Sequence, residues 1–163
     1  MARAGSVDFE PGGLSRGATA GLIAAGAMSL LRMIAHRTGL IDRMVPQELH
    51  TDLLGVDPAS NAPGHQLGAE LLHHGVSAAA AALFAAVAPR RPSPIAGVGL
   101  GVALWAFDVF VLIPALRVER AGGYAVDLAA HALYGVAVAF TLEELAEQRP
   151  AWAARAGRLR RVG

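Results

Sequence analysis

Apolar positions in this chain form four long blocks, and polar positions cluster between them. The windows 17–31, 66–88, 93–116 and 121–142 contain only three charged residues, Glu70, Asp108 and Asp127. A soluble amphipathic helix places charge on its wet face about once per turn. These windows have no wet face. A membrane-spanning helix needs about 20 mostly apolar residues. The pattern predicts four spans, at about 17–37, 66–88, 95–116 and 122–142. The first has a short apolar core and must tolerate Arg32 near one end. Pro114 falls in the last turn of the third, where it can end or bend the helix.

The expected fold class is therefore all-α: a polytopic membrane protein with four transmembrane helices as two hairpins. A tail over 1–16, a transmembrane domain over 17–145 and an Arg-rich tail over 146–163 complete the chain. The first outer loop contains Pro46 where a helix would start and Gly55 where one would end, which predicts a short interfacial helix. The competing reading is an Ala-rich soluble bundle, whose uniformly apolar helices would need a very large core. A signal peptide over the first window is a weaker alternative, because no tidy cleavage site follows.

Arginine placement sets the orientation. Arg3 and Arg16, Arg90 and Arg91, and the C-terminal Arg149, Arg155, Arg158, Arg160 and Arg161 all fall on one side of a four-span topology. Arg37, Arg43, Arg117 and Arg120 fall on the other. Basic residues favour the cytoplasmic side, so both termini are expected there.

Composition agrees with the pattern. Apolar residues make up 54% and charged residues 17%, with mean hydropathy +0.43. Soluble proteins average roughly 45–50% and roughly 25%. The net charge of +1 gives no field suited to nucleic acid. The absence of cysteine excludes disulfides, zinc–thiolate sites and thiol catalysis.

Small residues recur at helical spacing. Gly17, Gly21 and Ala25 share one face of the first span, and Gly97 and Gly101 one face of the third. The second and fourth offer Ala78 with Ala82, and Gly135 with Ala139. Such faces let helix backbones approach closely in lipid and could also support self-association. Abundant Ala and Gly explains the spacing equally well. A faint internal repeat is visible too. A glycine-bearing span precedes a histidine-bearing one in each half, with Glu70 four residues before His74 and Asp127 four before His131.

Ionisable residues within spans are costly and mark functional candidates. With a rise of about 1.5 Å per residue, Arg32 lies about 8 Å below the outer end of its span and Asp108 about 12 Å below. His74 and His131 lie about 12 and 13 Å deep on the same measure. Glu70, His73 and Asp127 complete a polar layer in the outer half of the membrane. Three readings compete. In the first, the layer is structural, with Arg32 paired to Asp108. In the second, it handles protons or a small polar ligand, since imidazole titrates near neutral pH. In the third, His74 and His131 hold a metal or haem. No nucleophile with a base at defined spacing is present, so no catalytic residue is assigned. Ser77, one turn after His73, forms too common a pair to count. Trp105 and Phe107 read as packing or lipid-facing, and Tyr124 and Tyr134 as interfacial or as hydroxyls in the polar layer.

The segment Asp127-Leu-Ala-Ala-His131-Ala-Leu-Tyr-Gly135 resembles the last helix of YagU-like bacterial inner-membrane proteins. His73-x-x-x-Ser77 is similar to that family's histidine helix. The resemblance implies a multi-pass protein of the bacterial inner (plasma) membrane, of unassigned activity, with one branch linked to acid tolerance. It carries over Asp127, His131 and His73 as the polar positions. The partners expected are the lipid bilayer and a second copy or another membrane subunit. The cofactor is left open.

Overall fold

The computed structural model describes residues 12–41, 63–89, 91–116 and 123–147. Those residues form four helices and no strand: α1 (Gly13–Arg37), α2 (Pro63–Val87), α3 (Pro94–Leu116) and α4 (Tyr124–Glu147). Each is long and apolar enough to cross a membrane. The interfacial helix expected over 46–55 lies outside the described residues, as do residues 1–11 and 148–163 of the two expected tails.

Helix ends are set by local chemistry. α1 stops at Gly39, whose φ of +73° is open to glycine at little cost. There the Leu40 N–H donates to the Ala35 carbonyl (2.9 Å) and the Gly39 N–H to that of His36 (3.1 Å). This double bond satisfies carbonyls the helix would otherwise leave open. α3 starts with Ser93, whose Oγ accepts from the Ala96 N–H, and Pro94, which needs no donor there. α1 begins four residues before the expected span, and α4 runs five beyond it, to Glu147. Hydropathy marks where a helix meets lipid, whereas backbone hydrogen bonds continue into the polar flanks.

Pro114 neither ends α3 nor breaks it. The helix instead opens into a π-turn over Asp108–Leu112, where the Ile113 N–H reaches back five residues to the Asp108 carbonyl. Proline lacks the N–H that Phe110 would receive, and its ring crowds that carbonyl. A widened turn just upstream absorbs both effects. The sequence shows the proline but not this displacement, which falls at the only acid of α3.

α1 packs against α2 and α4, and α3 packs against α4. α1 and α4 are thus the inner helices, while α2 and α3 flank them and scarcely touch. The core is built of small residues: Ala20, Ala24, Ala81 and Ala130, with Met28, Tyr134, Val138 and Leu142. Large apolar side chains point outward instead, among them Leu22, Ile23, Leu71, Leu83, Val98 and Phe110. An apolar exterior of this extent suits lipid as solvent.

The small-residue faces meet backbone. A Cβ on Gly17 would lie 2.5 Å from the Ala81 carbonyl, and one on Gly21 2.5 Å from the Ser77 carbonyl. A Cβ on Gly97 would collide with the Gly135 carbonyl, and one on Gly101 with that of His131. Gly135 is equally tight against Gly97, and Ala25 is fully buried. Ascending positions on one helix meet descending positions on the other, so both pairs run antiparallel.

Candidate functional site

The buried polar residues gather at the end of the bundle formed by the C-terminal halves of α1 and α3 and the N-terminal halves of α2 and α4. Arg32 of α1 is only 3% exposed, and its Nε donates to Asp127 Oδ1 of α4 at 3.2 Å. Asp127 stands in the first turn of α4, where the helix dipole favours a carboxylate. In the structural reading of the polar layer, Arg32 is expected to pair with Asp108. The structure corrects this: Asp127 takes the arginine, and Asp108 Oδ2 meets His131 Nε2 at 3.0 Å. The two acids lie at similar depths, and depth alone does not say which one faces α1.

The hydrogen bonds of His131 fix its proton. Its Nδ1 lies 2.8 Å from the Asp127 carbonyl, which can only accept. Nδ1 therefore carries hydrogen. The Nε2–Asp108 contact then holds one further proton, whether on the carboxyl or on the imidazole. Either way the Asp108–His131 unit is neutral, and so is the Arg32–Asp127 pair. Adding or removing one proton leaves an uncompensated charge in a low-dielectric setting, which is costly.

His73 of α2 lines the same cavity as Arg32, Asp108 and His131. Its Nε2 is buried and has no hydrogen-bond partner among the described residues. Arg32, His73, Ser77, Asp108, His131 and Tyr134 together line a cavity of about 110 Å³. Its remaining wall is apolar, from Met28, Ala69, Leu72, Val76, Ala80, Leu104 and Leu112.

Glu70 and His74 form a separate branch. The His74 Nδ1–H donates to the Glu70 carbonyl (2.8 Å), and Ser29 Oγ donates to Glu70 Oε2 (3.1 Å). Both side chains are partly exposed and neither lines the cavity. His74 and His131 therefore do not share a ligand set. No group of three potential metal ligands forms among the described residues, and both ring nitrogens of His131 are engaged.

Two participants are given no firm place by the sequence. Tyr134 is almost wholly buried and donates its hydroxyl to the Ser77 carbonyl at 2.5 Å, tying α4 to α2. Its position three residues after His131 puts it on the same face, a signal available in the sequence. Trp105 stacks edge-on against Phe110, and its Nε1 is buried without a partner among the described residues. No sequence signal marks that nitrogen.

The fold and this site define a class: an all-helical protein with four helices of membrane-spanning length and a charge-balanced polar cluster between them. The chain belongs to DUF6789, a family of unknown function whose profile matches residues 12–153. That match supplies no counterpart for the YagU-like resemblance. No curated protein and no solved structure matches the chain.

Proposed function

We propose that this is a multi-pass membrane protein, both termini cytoplasmic, whose polar cavity takes up and releases a proton at Asp108–His131. The observation that supports the reading is a cavity lined by Asp108 and His131, in hydrogen-bond contact with each other, and by His73, whose buried Nε2 has no partner among the described residues. A layer built only for stability gains nothing from leaving a buried polar atom unsatisfied. The arginine distribution supports the orientation, and the resemblance to inner-membrane proteins supports a bacterial plasma membrane.

The test combines two measurements on protein in lipid: nitrogen NMR of the His131 ring across roughly pH 4 to 9, and proton flux into vesicles containing a pH-sensitive dye. His131 is expected to titrate, and Asp108→Asn to shift that titration and abolish the flux. A His131 ring that never titrates, with flux equal to empty vesicles, removes the proposal. The second reading, a non-catalytic structural or accessory subunit, is favoured by Arg32–Asp127 and Tyr134–Ser77, both closed interactions that tie separate helices. It would then stand alone.

A further inference from the structure

We infer that the chain pairs with a second copy of itself at the α1–α2 seam, His74 of each copy meeting Glu70 of the other. This surface lies apart from the cavity. Neither residue lines it, and both side chains are partly exposed, 31% for His74 and 37% for Glu70.

One local motif occurs twice, once complete and once open. In α4 the His131 Nδ1–H donates to the Asp127 carbonyl four residues back, at 2.8 Å. Its Nε2 then meets a carboxylate from a neighbouring helix, Asp108 of α3, at 3.0 Å. In α2 the His74 Nδ1–H donates to the Glu70 carbonyl, also four back and also at 2.8 Å. Here Nε2 meets no carboxylate among the described residues. The neighbour at this seam is α1, which supplies Ser29, and Ser29 Oγ bonds Glu70 Oε2. Glu70 Oε1 is open among the described residues as well. An imidazole nitrogen and a carboxylate oxygen are complementary once they share a proton. Within one copy these two do not meet. His74 turns Nδ1 toward Glu70, 3.5 Å from Oε2, and holds Nε2 on the far edge of the ring.

A second copy supplies what is missing. The 3.5 Å approach of ring and carboxylate puts both groups at one depth in the membrane. A two-fold axis along the membrane normal preserves depth and exchanges sides. Each ring then faces the other copy's carboxylate, and the contact is made twice, as an isologous interface requires. Glu70 and His74 lie within the apolar stretch that begins at Leu67. There an ionisable side chain is costly without a partner. The surface around the pair is apolar or small. Leu67 and Leu71 are exposed, and a Cβ on Gly75 would have nothing within 4 Å. Small residues let a second helix come close in lipid, and polar pairs hold it there.

The chain has no cysteine, so single thiols can be placed on it cleanly. The experiment uses the full chain in lipid vesicles at falling protein-to-lipid ratios, read by disulfide cross-linking and by single-molecule photobleaching. Leu71→Cys is expected to cross-link to a second copy, and Val111→Cys, half exposed on α3, is not. His74→Leu and Glu70→Leu each remove both contacts of the pair, and each should weaken association roughly tenfold. Mixed together, the two variants regain one contact, His74 of one copy with Glu70 of the other. The mixed pair should therefore be about threefold tighter than either variant with itself. A general loss of fold gives no such recovery. A chain that stays monomeric, its introduced thiol open to a lipid-soluble maleimide, has lipid on this face and overturns the inference. Dimers that cross-link through Val111→Cys and not through Leu71→Cys overturn it too. So do variants that associate as tightly as the parent chain, or a mixture no tighter than its parts.

Discussion

Where α1 meets α2, Gly17 and Gly21 press on the carbonyls of Ala81 and Ser77. Where α3 meets α4, Gly97 and Gly101 press on those of Gly135 and His131. The two helix pairs close by the same device and in the same register. The side chains at matching positions differ: Ser77 corresponds to His131, and His73, one turn earlier, corresponds to Asp127. In the α3–α4 pair both positions are bonded, His131 to Asp108 and Asp127 to Arg32. In the α1–α2 pair His73 keeps a buried nitrogen without a partner. The repeated scaffold sets spacing, and the departure from repetition creates the cavity. Four sets of substitutions break or sharpen this comparison.

The largest effect is expected at Arg32→Leu. It takes the arginine from the Asp127 carboxylate, 3% exposed, and removing one partner of a buried pair costs about 3–5 kcal/mol. Unfolding by a denaturing detergent reads this directly. Restoration by the second change Asp127→Leu would confirm that the loss comes from the broken pair. A double variant no more stable than the single one would mean that Arg32 acts through other contacts.

Gly101→Leu comes next, at about 3 kcal/mol, the upper end for overpacking, because its Cβ meets backbone that cannot rotate aside. Gly21→Leu should behave alike, as the shared register requires. Gly26→Ala is the control: nothing lies within 4 Å of its Cβ, so it should be neutral or slightly stabilising. A large loss at Gly101 with none at Gly21 would show that only one pair depends on close approach.

The same contrast explains what the sequence reveals. Charge-poor windows locate all four helices, because a residue's compatibility with lipid is written in its own side chain. Convergence of Arg32, Asp108, Asp127 and His131 at one end follows from rise per residue. Rotation about the helix axis does not. It decides that Arg32 faces Asp127, and that Glu70 and His74 turn toward Ser29 and away from the cavity. The internal repeat visible in the sequence aligns Glu70 and His74 with Asp127 and His131. The glycine contacts align His73 and Ser77 with them instead, one turn along. The π-turn at Asp108 is hidden for another reason: its cause, Pro114, lies six residues away.

A smaller effect is expected from Tyr134→Phe. It removes a single neutral hydrogen bond to the Ser77 carbonyl and keeps the ring that fills the core, for a loss of about 1 kcal/mol. That carbonyl also receives Gly21, so the substitution probes the α1–α2 contact from the α4 side. A loss above about 3 kcal/mol would show that the hydroxyl belongs to a larger network than this one bond.

The smallest effect is expected at His73→Leu, with His131→Leu as its contrast. His131→Leu deprives Asp108 of its partner, and an unsatisfied buried group costs about 1–3 kcal/mol. His73→Leu removes an atom that has no partner to lose and leaves an apolar side chain beside Leu72 and Val76. Replacing an unsatisfied polar group with an apolar one of similar size is nearly neutral or stabilising, so the change should lie within about 0.5 kcal/mol of zero. Stability of both variants measured in the same detergent gives the comparison. A loss of about 2 kcal/mol or more at His73 would mean that its nitrogen is bonded in the folded protein. The asymmetry between the two helix pairs would then not be one of satisfied against unsatisfied groups.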